Sequence, residues 1–173
     1  MTNTGEIVTK WFYEYSHDVY DFLVYYTGNK DVEELVQEVF IKVSKGLKSY
    51  KHNSSPKTWI FSIARNVAID DVRKRKRRIM HDTSSFDERI GTAERNASQT
   101  PEKILLQNEE EQELFQAIQQ LKKGFRDVLI LRGVKGFSVR ETAEILEWKE
   151  AKVKTNYHRA KQTLKKLHGW EDS

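Results

Sequence analysis

Cysteine is absent from all 173 residues, so neither disulfides nor thiolate-held metals are available. That fits a reducing interior. Proline occurs only twice, at Pro56 and Pro101, and each stands where a helix is expected to begin. No stretch of eighteen apolar residues exists, and the N-terminal MTNTGEIVTKWFYEY lacks a basic region followed by a continuous apolar run. A membrane-spanning helix and a secretory signal are therefore not expected, and the expected location is cytoplasmic. The five histidines are scattered without the spacing of a zinc site or a catalytic triad. Glu33, Glu34 and Glu38 have no histidine at ligand spacing, which argues against a metal-dependent nuclease. The chain reads as a non-enzyme with no metal and no cofactor.

What the chain does have is segregated charge. Composition is ordinary for a soluble protein, 38% hydrophobic and 32% charged, and the length has room for one domain or two small ones. The net charge of +4 is mild, yet six consecutive basic residues, Arg73 to Arg78, close one segment. Before them Ile60, Ile63, Ala64, Val67 and Ala68 share one helical face, while Ser62, Arg65, Asn66, Asp70 and Arg73 fall on another. A cationic helix end suits a phosphate backbone, because each neutralised phosphate releases condensed counterions. The alternative is a solvated charge run.

The remaining periodicity is helical throughout. From Glu6 to Thr27, residues Trp11, Tyr15, Val19, Phe22, Leu23 and Tyr26 form an apolar stripe. Asp31 and Glu34 are spaced as N-cap and N3 of a second helix through Leu35, Val36, Val39, Phe40, Val43 and Leu47. A loop from Tyr50 to Lys57 leads to Pro56 and the basic helix. Periodicity then fades over residues 79–103, which read as a linker that makes two domains, 1–78 and 104–173, separable. Past Pro101 an acidic-faced helix is expected through Leu105, Leu106, Leu114, Ile118 and Leu121. An apolar segment, Phe125 to Leu131, stops near Gly133 and Gly136. Ser138 and Glu141 form a capping box for a short helix holding Val139, Ala143, Ile145 and Leu146. A longer helix follows from Lys149 to Leu167, with Val153, Tyr157, Ala160, Leu164 and Leu167 as its seam. Two helices about a tight turn read as a helix-turn-helix, although Glu147 stands where glycine is often found. A helical hairpin with a solvated basic face is the plainer reading.

DVEELVQEVFIKV followed by KTWIFSIARNVAIDDVRKRKRR resembles region 2 of the bacterial extracytoplasmic-function sigma factors. FSVRETAEILEWKEAKVKTNYHRAKQTLKKL resembles their region 4, in the family's order. The resemblance runs from about Phe12 to Leu167 and implies an all-α protein of two small helical domains joined by a flexible linker. It implies a partner, core RNA polymerase, engaged at the largest-subunit clamp helices and at the flap. It also implies promoter DNA as ligand and an anti-sigma factor, often membrane-anchored in the family.

The resemblance maps polymerase binding onto Asp31, Glu34, Leu35, Gln37 and Glu38, where acidic and amide groups beside an apolar anchor suit a charged helical partner. It maps a pocket for an extruded −10 base onto His52, Asn53 and Ser54. Lys57, Trp59, Arg65, Asn66, Asp70, Arg73 and Lys74 adjoin that pocket, with Trp59 equally suited to a core position. Arg140, Lys152, Lys154, Thr155, His158 and Arg159 face the −35 element. The expected function is an alternative sigma factor for a stress or envelope regulon. The competing readings are an autonomous helix-turn-helix regulator that binds duplex DNA without polymerase, and a helical adaptor with solvated basic faces.

Overall fold

A computed structural model describes residues 3–82 and 109–168, and among these there is no strand. Three helices form the first unit: α1 (Thr4–Thr27), α2 (Glu33–Gly46) and α3 (Pro56–Asp82), with a 3-10 turn at Leu47–Ser49. The second unit comprises α4 (Glu109–Gln120), α5 (Lys123–Val128), a π-helical turn (Leu129–Val134), α6 (Val139–Leu146) and α7 (Glu150–His168). Helices α1, α2 and α3 pack on one another around Val19, Phe22, Leu23, Val39, Val43 and Ile60, all fully buried. The periodic stripes are the core because only one face of each helix can leave water.

Asp31 is not the N-cap of α2. That position is held by Val32, which has no side-chain cap and is fully buried. Instead Asn29 orders the turn, its Oδ1 accepting the Asp31 N–H at 3.2 Å. Burial of Val32 outweighs the capping bond that Asp31 could have made. Gly28 closes α1 at φ 72°, returning its N–H to the Val24 carbonyl.

Helix α3 begins as expected at Pro56, with Ser55 Oγ accepting the Thr58 N–H at 3.2 Å. It runs to Asp82, four residues past the expected end of the first domain, since Ile79 and Met80 bring no glycine or proline to break it. The rest of the interval read as linker, with Pro101, Leu105 and Leu106, lies outside the described residues. The segment after Lys123 relaxes into a π turn that ends at Val134, with the Lys135 N–H on the Ile130 carbonyl, and the chain turns at Gly136, φ 73°, near the two glycines expected to stop it. In α7, Val153, Ala160 and Leu164 are buried and Tyr157 is half-buried. Leu167 is 46% exposed, because the helix has by then passed the body it packs on.

The two units pack against each other. Phe61, fully buried yet absent from the apolar stripe of α3, lies between Phe22 (centroids 5.4 Å) and Phe137 of the second unit (4.8 Å). The last turn of α1 carries no basic residue, and its carbonyls look to the second unit. Gln119 Nε2 donates to the Tyr25 carbonyl at 2.6 Å and Arg126 Nη1 to the Tyr26 carbonyl at 3.3 Å. A helix C-terminus leaves such carbonyls without intrahelical donors, and a guanidinium there also opposes the negative end of the helix dipole.

Candidate nucleic-acid interface

The loop between the 3-10 turn and α3 is built on aromatic rings. Tyr50 stacks on Trp59 at 4.5 Å and 15°, and Trp11 meets both edge-on at 6.0 and 6.2 Å. Gly46 makes room for this, since a Cβ there would stand 3.2 Å from the Trp59 ring. Trp59 is thus half-buried in a structural cluster. The Tyr50 hydroxyl donates to the Ser54 carbonyl, drawing the loop closed. His52, at φ 60°, lays its ring 4.2 Å from that of Tyr50.

His52 and Asn53 are exposed and Ser54 half-buried, and together with Ser55 and Thr58 they form one wall of a cleft of about 390 Å³. Its other wall is Arg140, Glu141 and Glu144 of α6. Along α3, Asn66, Asp70, Arg73 and Lys74 are exposed, continuous with the basic end where Arg75 pairs with Asp71 at 2.9 Å. Arg65 departs from the outward face expected for it. Its Nη2 lies 3.1 Å from Asp127 Oδ2, and its side chain is only 16% exposed. Lys57 pairs with Asp18 at 3.5 Å and stands over the Phe137 ring. Periodicity assigns a face within one helix and carries no signal of what another unit lays upon it.

The helix-turn-helix is formed in detail. Ser138 Oγ accepts the Glu141 N–H at 3.0 Å, and Glu141 Oε1 accepts the Ser138 N–H at 2.9 Å. Glu147 takes the left-handed conformation at φ 58°, filling the turn position without glycine. Lys152, Lys154, Thr155, His158 and Arg159 are exposed on α7, opposite its buried seam. Lys152 lies over the Trp148 ring at 4.3 Å, and Arg140 is within 3.7 Å of Glu144. A helix so mounted can enter a major groove.

Asp31, just ahead of α2, and Glu34 and Gln37 on it are exposed, with Leu35 and Glu38 half-buried. The sequence reading missed the apolar surface beside them: Ile41 is 54% and Tyr13 81% exposed, and Phe12 bridges Tyr13 and Phe40 by edge contacts. Ile41 lies off the buried stripe of α2, which is the signal that marks it.

Burial and neighbouring cations act in opposite senses on two carboxyls near these surfaces. Burial pushes the Asp127 carboxyl up, against the pull of Arg65. Burial acts likewise on Asp18, but the hydrogen-bonded Lys135 ammonium, with Lys57, outweighs it and holds the carboxyl below its ordinary value. No group of three metal-ligating side chains occurs among the described residues, and no helix among them is long and apolar enough to cross a membrane.

The Sigma-70 region 2 family matches residues 11–78, covering the aromatic loop and most of α3, and Sigma-70 region 4 matches 111–164, covering α6 and most of α7. The ECF RNA polymerase sigma factor SigX of Bacillus subtilis is 38% identical over 153 residues, 88% of this chain and 78% of that protein. SigM of the same organism is 36% identical over 155 residues, 89% and 90% of the two chains. The fold is that of the sigma factor RpoE, solved with the anti-sigma factor NepR from Bartonella quintana, at a TM-score of 0.75 and 23% identity over 95% of this chain and 98% of that one. CnrH, solved with the cytosolic domain of CnrY, superposes at 0.67 with 17% identity over 95% and 89%. Matched in both regions and along most of its length, the chain belongs to the ECF sigma factors of RNA polymerase.

Proposed function

We propose that this sigma factor docks on core polymerase through α2, reads the −35 element with α7 and captures unpaired −10 bases at the aromatic loop. The carrying observation is that one chain holds both a capped helix-turn-helix with an exposed basic face and a separate exposed loop continuous with a basic helix. A duplex-binding regulator needs only the first of these, and an adaptor needs neither. Polymerase docking is supported by exposed Ile41 and Tyr13 beside Glu34 and Gln37, an apolar centre with a charged rim. Bond-making belongs to the polymerase, so this chain contributes binding, positioning and unpairing in the cytoplasm. RpoE was solved with the anti-sigma factor NepR, and CnrH with the cytosolic domain of CnrY; an anti-sigma partner is proposed for this chain as well.

Replacing His52, Asn53 and Ser54 together by alanine tests the loop. Core association and −35 contact should persist, while permanganate reactivity of −10 thymines and transcript yield fall. A pre-melted −10 bubble should restore part of the yield, because the unpairing cost of a few kcal/mol is already met. If the triple variant melts and transcribes like the parent, the loop is a connector only.

A further inference from the structure

The exposed side of α3 carries a short row of side chains with three different hydrogen-bonding capacities. Asn66, Asp70 and Arg73 follow one another at four and three residues, so they share one face, and all three stand in solvent. The Asn66 amide donates and accepts, the Asp70 carboxylate accepts only, and the Arg73 guanidinium donates only. From Asn66 to Arg73 the helix rises about 10 Å, roughly three base steps at ~3.4 Å each. A mixed row at that pitch suits base edges, which differ in donors and acceptors, whereas phosphates accept only and call for a row of cations.

Asp70 is the member that decides between those two uses. Its neighbour Asp71 pairs with Arg75 one turn along at 2.9 Å and is 19% exposed, so one acid already serves the charge balance of the helix. Asp70 has Arg73 and Lys74 three and four positions ahead, yet its carboxylate makes no ion pair and no hydrogen bond among the described residues. Facing a phosphate backbone, a carboxylate only repels. On a surface that runs into six consecutive basic residues it lowers the attraction for any DNA, whatever the sequence. Its favourable use is as acceptor from the exocyclic amine of a base. Cytosine offers that amine, N4, with no acceptor beside it on the same major-groove edge. Adenine sets N7 next to its amine, and guanine O6 and N7 and thymine O4 only accept.

We propose that Asp70 is a specificity residue of this sigma factor, accepting from the N4 amine of one cytosine in the −10 region. This assignment rests on the −10 reading of α3 and goes beyond it in naming the atom read. Asp70 stands about 21 Å along α3 from Pro56, about six base steps from the loop that holds His52, so its cytosine is not the base that the loop captures.

A cycle between Asp70 and the amine itself provides the test. Core polymerase carrying the parent or Asp70→Asn transcribes a promoter library in which the −10 region is randomised one position at a time. The parent should prefer cytosine at one position, on either strand, by about tenfold. Asp70→Asn, whose amide can also donate to the carbonyls of thymine and guanine, should lose that preference and keep the profile at every other position, with circular dichroism unchanged. At the position so found, cytosine is then replaced by pyrimidin-2-one, which lacks the exocyclic amine. The parent should lose about tenfold more than Asp70→Asn does, because the weakened base pair weighs on both proteins alike. Asp71→Asn, which breaks the pair with Arg75, should leave the profile as it is. An unchanged profile in Asp70→Asn, or equal losses on pyrimidin-2-one, overturns the proposal. So does a uniform gain on all promoters, which is what removing a solvated charge gives, or the same loss of preference in Asp71→Asn. A parent with base preferences in the −10 region but none for cytosine overturns it too, and leaves the −10 reading of α3 standing. A parent that transcribes without preference at any −10 position overturns that reading, and the role of Asp70 with it.

Discussion

Arg65 of α3 and Asp127 of α5, sixty-two positions apart, meet at 3.1 Å in a site where the carboxylate is 1% exposed. The pair joins the helix assigned to the −10 element to the unit assigned to the −35 element. Its two charges are coupled across the joint, so the energy belongs to the pair rather than to either residue.

A double-mutant cycle measures that coupling. Arg65→Met and Asp127→Asn, singly and together, should show a favourable interaction of about 1–3 kcal/mol in urea unfolding. Additive effects would mean that the units part before either one unfolds.

Glu147 holds a left-handed conformation at φ 58° in the turn between α6 and α7. A side chain there is strained against the following carbonyl, a cost of roughly 1 kcal/mol that glycine avoids. Glu147→Gly should raise the urea midpoint while leaving −35 binding unchanged. A lower midpoint would show that the glutamate makes a compensating contact.

Lys30 is 4% exposed, and burial moves its ammonium from the ordinary 10.5 down to about 8. Between these values the unfolded chain binds more protons than the folded one, so stability should rise with pH across that window. Unfolding midpoints at pH 7.5 and 9.5 should show the increase, and Lys30→Met should flatten it. The comparison stays below pH 10 because burial also raises the Tyr26 hydroxyl, whose effect on stability has the opposite sign as the unfolded chain ionises.

On α7, Arg159 is placed to reach base edges and Lys165 lies farther along the helix. Arg159→Ala should cost about 1–3 kcal/mol on a matched −35 duplex and much less on a scrambled one. Lys165→Ala should weaken both alike, as a phosphate contact does. Equal losses from both substitutions on both duplexes would remove α7 from the groove.

Much of this protein is written in local patterns. Helical spacing places Val19, Phe22, Val39, Val43 and Ile60 in the first core. The Ser138 and Glu141 pair marks the start of α6, and the basic residues of α7 fall opposite Val153 and Ala160. Caps, stripes and charge faces involve residues three or four apart, so the chain specifies them before any tertiary contact forms. What only the tertiary structure decided is what lies against each exposed stripe. Phe61 is outside the apolar stripe of α3 and buried because Phe137 arrives from the second unit. Val32 displaces Asp31 as the α2 cap because packing took that position. The end of α1 finds its donors on Gln119 and Arg126, and Arg65 turns from an open DNA contact into half of a joint with Asp127. These contacts link residues from sixty to a hundred positions apart, and their energies depend on burial created by both partners, which no periodicity within either segment records.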